Sequence, residues 1–146
     1  MGTITTAMCS TFKEELLGGV HDLDTDTLKL ALIKTSPTGN YGATTTNYSD
    51  VTGNSDESSG SGYSPGGGTL TSPVITLTGT TAFVDFADEA FTNVSVSADG
   101  CIIYNSSQSN KAIAVFDFGG PVSATSGTLT VQFPTNDASN AVIRLT

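Results

Sequence analysis

The sequence predicts an all-β protein: an antiparallel β-sandwich or jelly-roll-like barrel of about eight strands, with one N-terminal α-helix and a long Gly/Ser/Thr loop. From residue 69 onward, runs of β-branched and aromatic residues recur about every 8–12 residues, with Gly or Pro between them. In Gly100–Gly120, two apolar runs flank the polar residues Asn105–Asn110, a pattern typical of a β-hairpin. No strand–helix alternation indicates a parallel sheet.

The N-terminal segment predicts a helix over Thr5–Leu17. Thr5 or Thr6 is suited to cap its start, and Gly18-Gly19 to end it. Apolar residues at spacings of three and four form one stripe: Met8, Cys9, Phe12 and Leu16. Because about three helical turns are marginal in isolation, we expect this stripe to pack either on the sheet of the same chain or on a neighbouring subunit.

The remaining chain predicts strands separated by turns. Strands are expected at Leu28–Thr35, Pro73–Thr78, Thr80–Ala87, Phe91–Val96, Cys101–Tyr104, Ala112–Phe118, Gly127–Phe133 and Ala141–Leu145. Turns are expected at Gly79, Gly100, Gly119-Gly120-Pro121 and Pro134. We therefore divide the chain into an N-terminal arm and amphipathic helix, residues 1–19, and a β domain, residues 20–146, with a long loop over residues 40–68.

Charge excludes some classes of partner. The net charge is −9, and the five basic residues are scattered singly along the sequence. Nucleic acids are bound by clustered Lys and Arg, so no nucleic-acid partner is expected. An acidic chain with no apolar stretch of about 20 residues predicts no membrane partner either. A protein that offers a basic or neutral patch fits better.

A metal site is not expected, although Asp22, Asp24 and Asp26 alternate like the first ligands of an EF-hand loop. The sixth loop position is Thr27 instead of Gly, and the twelfth is Ile33 instead of Glu. A solvated turn is the favoured interpretation, and weak calcium binding stays open. The single histidine, His21, has no G-x-S-x-G elbow beside it in the sequence, so a surface histidine is expected there.

No enzyme activity or cofactor is expected. Asp85, Asp88, Glu89 and Asp117 would need to converge to form a glycosidase pair, but none lies in a distinctive motif and the chain has no Trp to stack a sugar. Cys9 and Cys101 each lie in an apolar context. They predict two buried reduced thiols, with a disulfide as the alternative.

Short blocks along nearly the whole chain carry a resemblance. They are Thr5–Leu17 with Gly19–Asp22, Leu28–Leu32, Gly62–Gly67, Ile103–Asn105, Ala114–Gly119 and Phe133-Pro134. Together they are similar to small virion structural proteins of tailed bacteriophages, especially marine and cyanobacterial ones. The resemblance implies a capsid decoration (cement) protein on the virion surface, made in the host cytoplasm. It also implies homotrimers that bind and bridge subunits of the major capsid protein.

Candidate partner-binding residues follow from the apolar arm and from the tyrosines of the long loop. They are Ile4, Met8, Phe12, Leu16, Tyr41, Tyr48 and Tyr63. The alternative function is a tail or fibre component that acts as a receptor-binding or carbohydrate-binding module, in which Tyr41, Tyr48 and Tyr63 and the acidic residues of the loop form the binding face.

Overall fold

The computed structural model describes all residues, Met1–Thr146, and is an all-β fold of two antiparallel sheets. The helical elements are α1 (Ser10–Leu17), the short α2 (Ser49–Gly53) and a single 3₁₀ turn (Ser106–Gln108). The strands are β1 (Ala7–Met8), β2 (Leu28–Ile33), β3 (Gly68–Thr69), β4 (Val74–Thr78), β5 (Thr81–Asp85), β6 (Glu89–Asn105), β7 (Lys111–Val131) and β8 (Ile143–Leu145).

The large sheet has the order β1-β7-β6-β2-β3, and the small sheet has the order β4-β5-β8. One buried cluster joins them, because Val84 and Ile143 of the small sheet belong to the same core as the strands of the large sheet. Leu30, Ile103 and Ile113 are fully buried in that core. The sandwich-like architecture expected from the strand spacing is therefore present.

The β6–β7 hairpin is confirmed, but it is longer than predicted. Strands expected at Phe91–Val96 and Cys101–Tyr104 form one continuous β6, and Gly100 does not end the strand. A Cβ at position 100 would lie 2.3 Å from the carbonyl oxygen of Phe116. This glycine therefore permits a close backbone approach to β7, and the turn predicted there was wrong.

The second arm of the hairpin was also predicted in two pieces. The segment Gly119-Gly120-Pro121 lies inside β7, although Gly119 and Gly120 have φ values of +80° and +153°. The β6–β7 register shifts at several points along the hairpin, which is how a long ribbon accommodates such residues without ending.

The helix begins at Ser10, and the start predicted at Thr5 was wrong. Ala7 and Met8 are extended and pair with Val115 and Ala114, so this part of the arm is the edge strand of the large sheet. Cys9 stands at the N-cap without a side-chain hydrogen bond to the helix. The apolar stripe packs on the same chain, where Cys9 and Phe12 are fully buried.

Candidate binding surface

One face of the small sheet is entirely apolar. Ile75, Val84 and Ile143 stand in one cross-strand row, and Leu77, Ala82 and Leu145 stand in the next. Residues paired directly across antiparallel strands share a face of the sheet, so these six side chains form a single surface. We call it the apolar face.

The apolar face is buried at one end and open at the other. Val84 and Ile143 are buried in the core at 2% and 3% exposure. Ile75, Leu77 and Leu145 retain 55%, 71% and 45% of their surface exposed. Isolated exposed apolar residues are common, but several on one face of a sheet beside a cavity are typical of a contact surface.

A cleft of about 410 Å³ lies between the apolar face and the chain that follows α1. Leu16 and the turn His21–Leu23 form the opposite wall. Leu17, next to this wall in sequence, is 92% exposed. The cleft is therefore lined mainly by hydrophobic side chains and is open to a partner.

Hydrogen bonds fix the wall opposite the apolar face. His21 is buried, so the surface position predicted for it was wrong. Its Nε2 lies 3.1 Å from Oε1 of Glu15, and the amide of Asn105 donates to Nδ1 over 3.0 Å. Because Nδ1 accepts, the ring proton lies on Nε2 and is donated to Glu15. Both ring nitrogens are thus engaged, and the ring supports the turn.

The aspartates of the adjacent turn bind their own backbone. Oδ1 of Asp22 accepts from the amides of Asp24 and Thr25 at 3.1 and 3.3 Å. Oδ2 of Asp26 accepts from the amide of Asp22 at 3.1 Å and from the side chain of Asn105 at 2.7 Å. The Asn105 hydrogen bond is the main cause that lowers the pKa of Asp26. The carboxylates act here as turn-forming groups.

The predicted tyrosine face is used inside the chain. Tyr41 and Tyr63 are buried, at 3% and 7% exposure, and Tyr48 is partly buried. Tyr48 stacks on Tyr104, with ring centroids 4.4 Å apart. Tyr48 and Tyr63 donate hydrogen bonds to the two carboxylate oxygens of Glu57. Burial, followed by the contact with Glu57, raises the pKa of Tyr48 well above its ordinary value.

Asp56 is the second anchor of the long loop. It is fully buried and accepts from the hydroxyl of Tyr41 at 2.6 Å and from the amide of Gly39 at 2.8 Å, and Nζ of Lys34 lies 3.0 Å away. Burial disfavours its charge, but the hydrogen bonds from Tyr41, Thr38, Gly39 and Lys34 outweigh burial and hold its pKa far below 3.8. Burial and Asp56 together raise the pKa of Tyr41 to about 12.

The arm residues also contact their own chain. Phe12 is fully buried, while Ile4, Met8 and Leu16 are partly buried against the core. Ile4 forms an isolated parallel β-bridge with Tyr41. Of the seven predicted partner-binding residues, Leu16 alone lines the open cleft. The prediction that these residues contact a partner stays a prediction.

The acidic residues considered for catalysis lie on different elements. Asp85 ends β5 of the small sheet, whereas Asp117 lies on β7 of the large sheet and accepts from the amide of Gly119. Oδ1 of Asp88 accepts from the amide of Phe133. No group of three or more His, Cys, Asp or Glu residues is arranged to hold a metal ion. Asp117 and Asp88 instead bind neighbouring backbone.

Cys9 and Cys101 are free and buried. Burial, followed by the nearby carboxylates of Asp50 and Glu15, raises the pKa of Cys9 to about 12. Burial alone raises the pKa of Cys101 further.

Neither helix is long and apolar enough to span a bilayer.

Sequence reasoning missed the cleft. The alternation of Ile75 and Leu77 is visible in the sequence, but it predicts only that one face of β4 is apolar.

Comparisons of the chain with protein-family models, curated proteins and solved structures find no match.

Proposed function

We propose that this protein is a bacteriophage virion structural protein: a capsid decoration protein that binds and bridges subunits of the major capsid protein through the cleft. The observation that carries the proposal is the exposed part of the apolar face, Ile75, Leu77 and Leu145, beside a preformed cleft. Exposed apolar patches with polar surroundings are typical of protein–protein contacts. The sequence resemblance to phage virion proteins supports the choice of the capsid as the partner.

The charge of the chain favours the same kind of partner. With a net charge of −9, the protein is attracted to a basic protein patch, is not repelled by a neutral one and is repelled by anionic surfaces. An apolar side chain of the capsid protein that enters the cleft would cover Ile75 and Leu145, which line it and are now in contact with water. Each such contact strengthens binding by removing apolar surface from water, and neither protein is chemically changed.

The alternative, a sugar-binding module, has less support. Its expected residues, Tyr41, Tyr48 and Tyr63, direct their hydroxyl groups at Asp56 and Glu57 of the same chain. A sugar would have to displace these hydrogen bonds, so we retain the capsid-binding proposal.

The proposal is tested on particles that contain the chain. Heads and tails are separated on a gradient, and each fraction is probed with an antibody against the chain. We expect the chain in the head fraction, and cryo-electron density at contacts between capsid subunits. Its presence only in tails or fibres, or in neither fraction, would overturn the proposal.

The role of the cleft is tested by rebinding to heads that have been stripped of the chain. Leu145→Asp places a charge on the apolar face, and we expect binding at least about tenfold weaker. Val122→Asp is the matched control, because Val122 is also exposed, at 37%, but lies on β7 of the large sheet. Equal binding of both variants would contradict the cleft as the site of contact.

A further inference from the structure

The terminal strands of the two sheets are β1, β3, β4 and β8, and three of them are poor templates for another chain. β7 also extends past its short pairing with β1, but Gly119, Gly120 and Pro121 and the register shifts with β6 interrupt that stretch. The edge strands β1 and β3 of the large sheet have two residues each. The edge strand β8 of the small sheet has three residues, with the exposed Arg144 in the middle. Very short strands and charged side chains are how proteins prevent pairing between edges.

The fourth edge, β4, has none of these protections. It has five residues, Val74–Thr78, and the sequence contains no charged side chain between Glu57 and Asp85. Val74, Ile75 and Leu77 are exposed by 49%, 55% and 71%. An uncharged, apolar and exposed edge strand is a ready template for strand pairing.

The hairpin geometry shows which backbone groups are free on β4. Gly79 and Thr80 form a two-residue turn between Thr78 and Thr81, and Gly79 has φ +59°. The residues that flank such a turn form a hydrogen-bonded pair, and such pairs alternate along an antiparallel ladder. Val74, Thr76 and Thr78 therefore bond to β5. Ile75 and Leu77 direct their N–H and C=O groups toward the free edge.

We propose that β4 pairs with β4 of a second copy of this chain, antiparallel and about a two-fold axis at Thr76. Ile75 of one copy then lies opposite Leu77 of the other, and their four free N–H groups donate to the facing carbonyls. The two small sheets join into one sheet of six strands, with the order β8-β5-β4-β4-β5-β8. The apolar faces of the two copies become continuous.

Charge and self-complementarity favour a second copy as the occupant. Two chains of net charge −9 repel each other, and the repulsion is least where the contacting segments carry no charge. The two-fold register also places apolar residues against apolar residues and Thr76 against Thr76. Because a two-fold contact uses the β4 edge of both copies, pairing through this edge closes at two copies.

This inference goes beyond the proposed capsid function and does not depend on it. It also differs from the trimer that the sequence resemblance implies. The mass of the full-length protein, measured by sedimentation equilibrium over a wide concentration range, distinguishes the two. We expect a monomer–dimer equilibrium for the wild-type protein.

Two variants test the site. Thr76→Lys places like charges against each other at the two-fold axis, on the face opposite the cleft, and we expect dimerisation at least about tenfold weaker. Leu77→Pro removes an N–H group at the free edge and leaves the N–H groups that bond to β5 in place. We expect a similar weakening of dimerisation. Thr130→Lys is the control, because Thr130 is exposed on β7, which is already paired on that segment with β6. Circular dichroism confirms that each variant is folded.

The outcomes separate this inference from the capsid proposal. A monomer at all concentrations, a trimer, or a dimer unaffected by Thr76→Lys and Leu77→Pro would overturn pairing through β4. A dimer that Thr76→Lys weakens and Thr130→Lys does not would support it. The result of Leu145→Asp on capsid binding leaves this outcome unchanged, because Leu145 lies on β8, at the opposite edge of the small sheet.

Discussion

The long loop, residues 40–68, and the small sheet have opposite compositions and opposite fates. The loop is rich in Thr, Ser and Gly, whereas the strands of the small sheet consist mostly of apolar residues and Thr. The loop is held against the body by buried hydrogen bonds to Asp56 and Glu57, whereas the small sheet leaves Leu77 and Leu145 in water. The difference shows that a polar segment is closed when it has buried hydrogen bonds and a few core side chains such as Val51, whereas apolar composition alone does not close the small sheet.

The glycines of the loop contribute to this closure. A Cβ at Gly67 would lie 1.8 Å from the carbonyl oxygen of Leu30, and Gly67 has φ +76°. Only glycine permits this approach to β2 without displacing the strand. The loop therefore packs its backbone on the sheet, while the small sheet leaves Leu77 and Leu145 largely exposed.

The largest expected effect contrasts two leucines. Leu32→Ala removes a fully buried side chain of β2 and should lower the free energy of unfolding by about 2–5 kcal/mol. Leu77→Ala, at 71% exposure on β4, should change it by less than about 0.5 kcal/mol at protein concentrations where the chain is monomeric. Urea denaturation of both variants measures the difference. A similar loss in both would mean that Leu77 is covered in solution.

The next effect concerns the loop anchor. Asp56→Asn weakens the hydrogen bonds from Tyr41, Thr38 and Gly39 and removes the ion pair with Lys34, and it should lower the free energy of unfolding at neutral pH by about 1–3 kcal/mol. Asp24→Asn is the matched control, because Asp24 is exposed in a turn, and it should be nearly neutral.

The same variant has a pH signature. Since the pKa of Asp56 is lowered in the folded state, the unfolded state binds more protons below the ordinary value of 3.8. The stabilisation is therefore complete above that value and is lost as the pH falls toward the folded pKa. The gap in stability between wild type and Asp56→Asn should narrow on acidification below about pH 4. A constant gap in urea titrations at several pH values would contradict a lowered pKa.

The smallest effect is on thiol reactivity. Cys9 and Cys101 are buried and free, and burial raises the pKa of Cys9 to about 12, so both should react slowly with a thiol reagent at neutral pH. In denaturant, both should react quickly. Fast modification of the native protein would contradict their burial, and no modification of the unfolded protein would indicate a disulfide.

The sequence predicted the hairpin but not its length. The run Ala112–Phe118 and its partner were visible because β-branched and aromatic residues are concentrated there. Gly100 and Gly119-Gly120 read as turns, since a local pattern cannot distinguish a glycine that turns the chain from one that allows close strand contact. Only the pairing of β6 with β7 shows that these glycines lie inside the strands and do not end them.

The candidate site shows the same division. The apolar stripe of α1 was predicted, but its partner was not, because a helical period gives a face without saying what covers it. His21 was expected at the surface and is buried, since Asn105, far away in sequence, supplies its hydrogen bond. The cleft depends on how the small sheet packs against the chain that follows α1, which is a long-range contact.

The sequence by itself determined that this protein is all-β, acidic and built around a hairpin, because strand propensity, turn residues and charge are local properties. Only the tertiary structure decided that the loop tyrosines and the apolar residues of the arm pack against the core of their own chain. It also decided that Ile75, Leu77 and Leu145 stay exposed to solvent. Burial depends on contacts between residues far apart in the chain, and no local pattern specifies them.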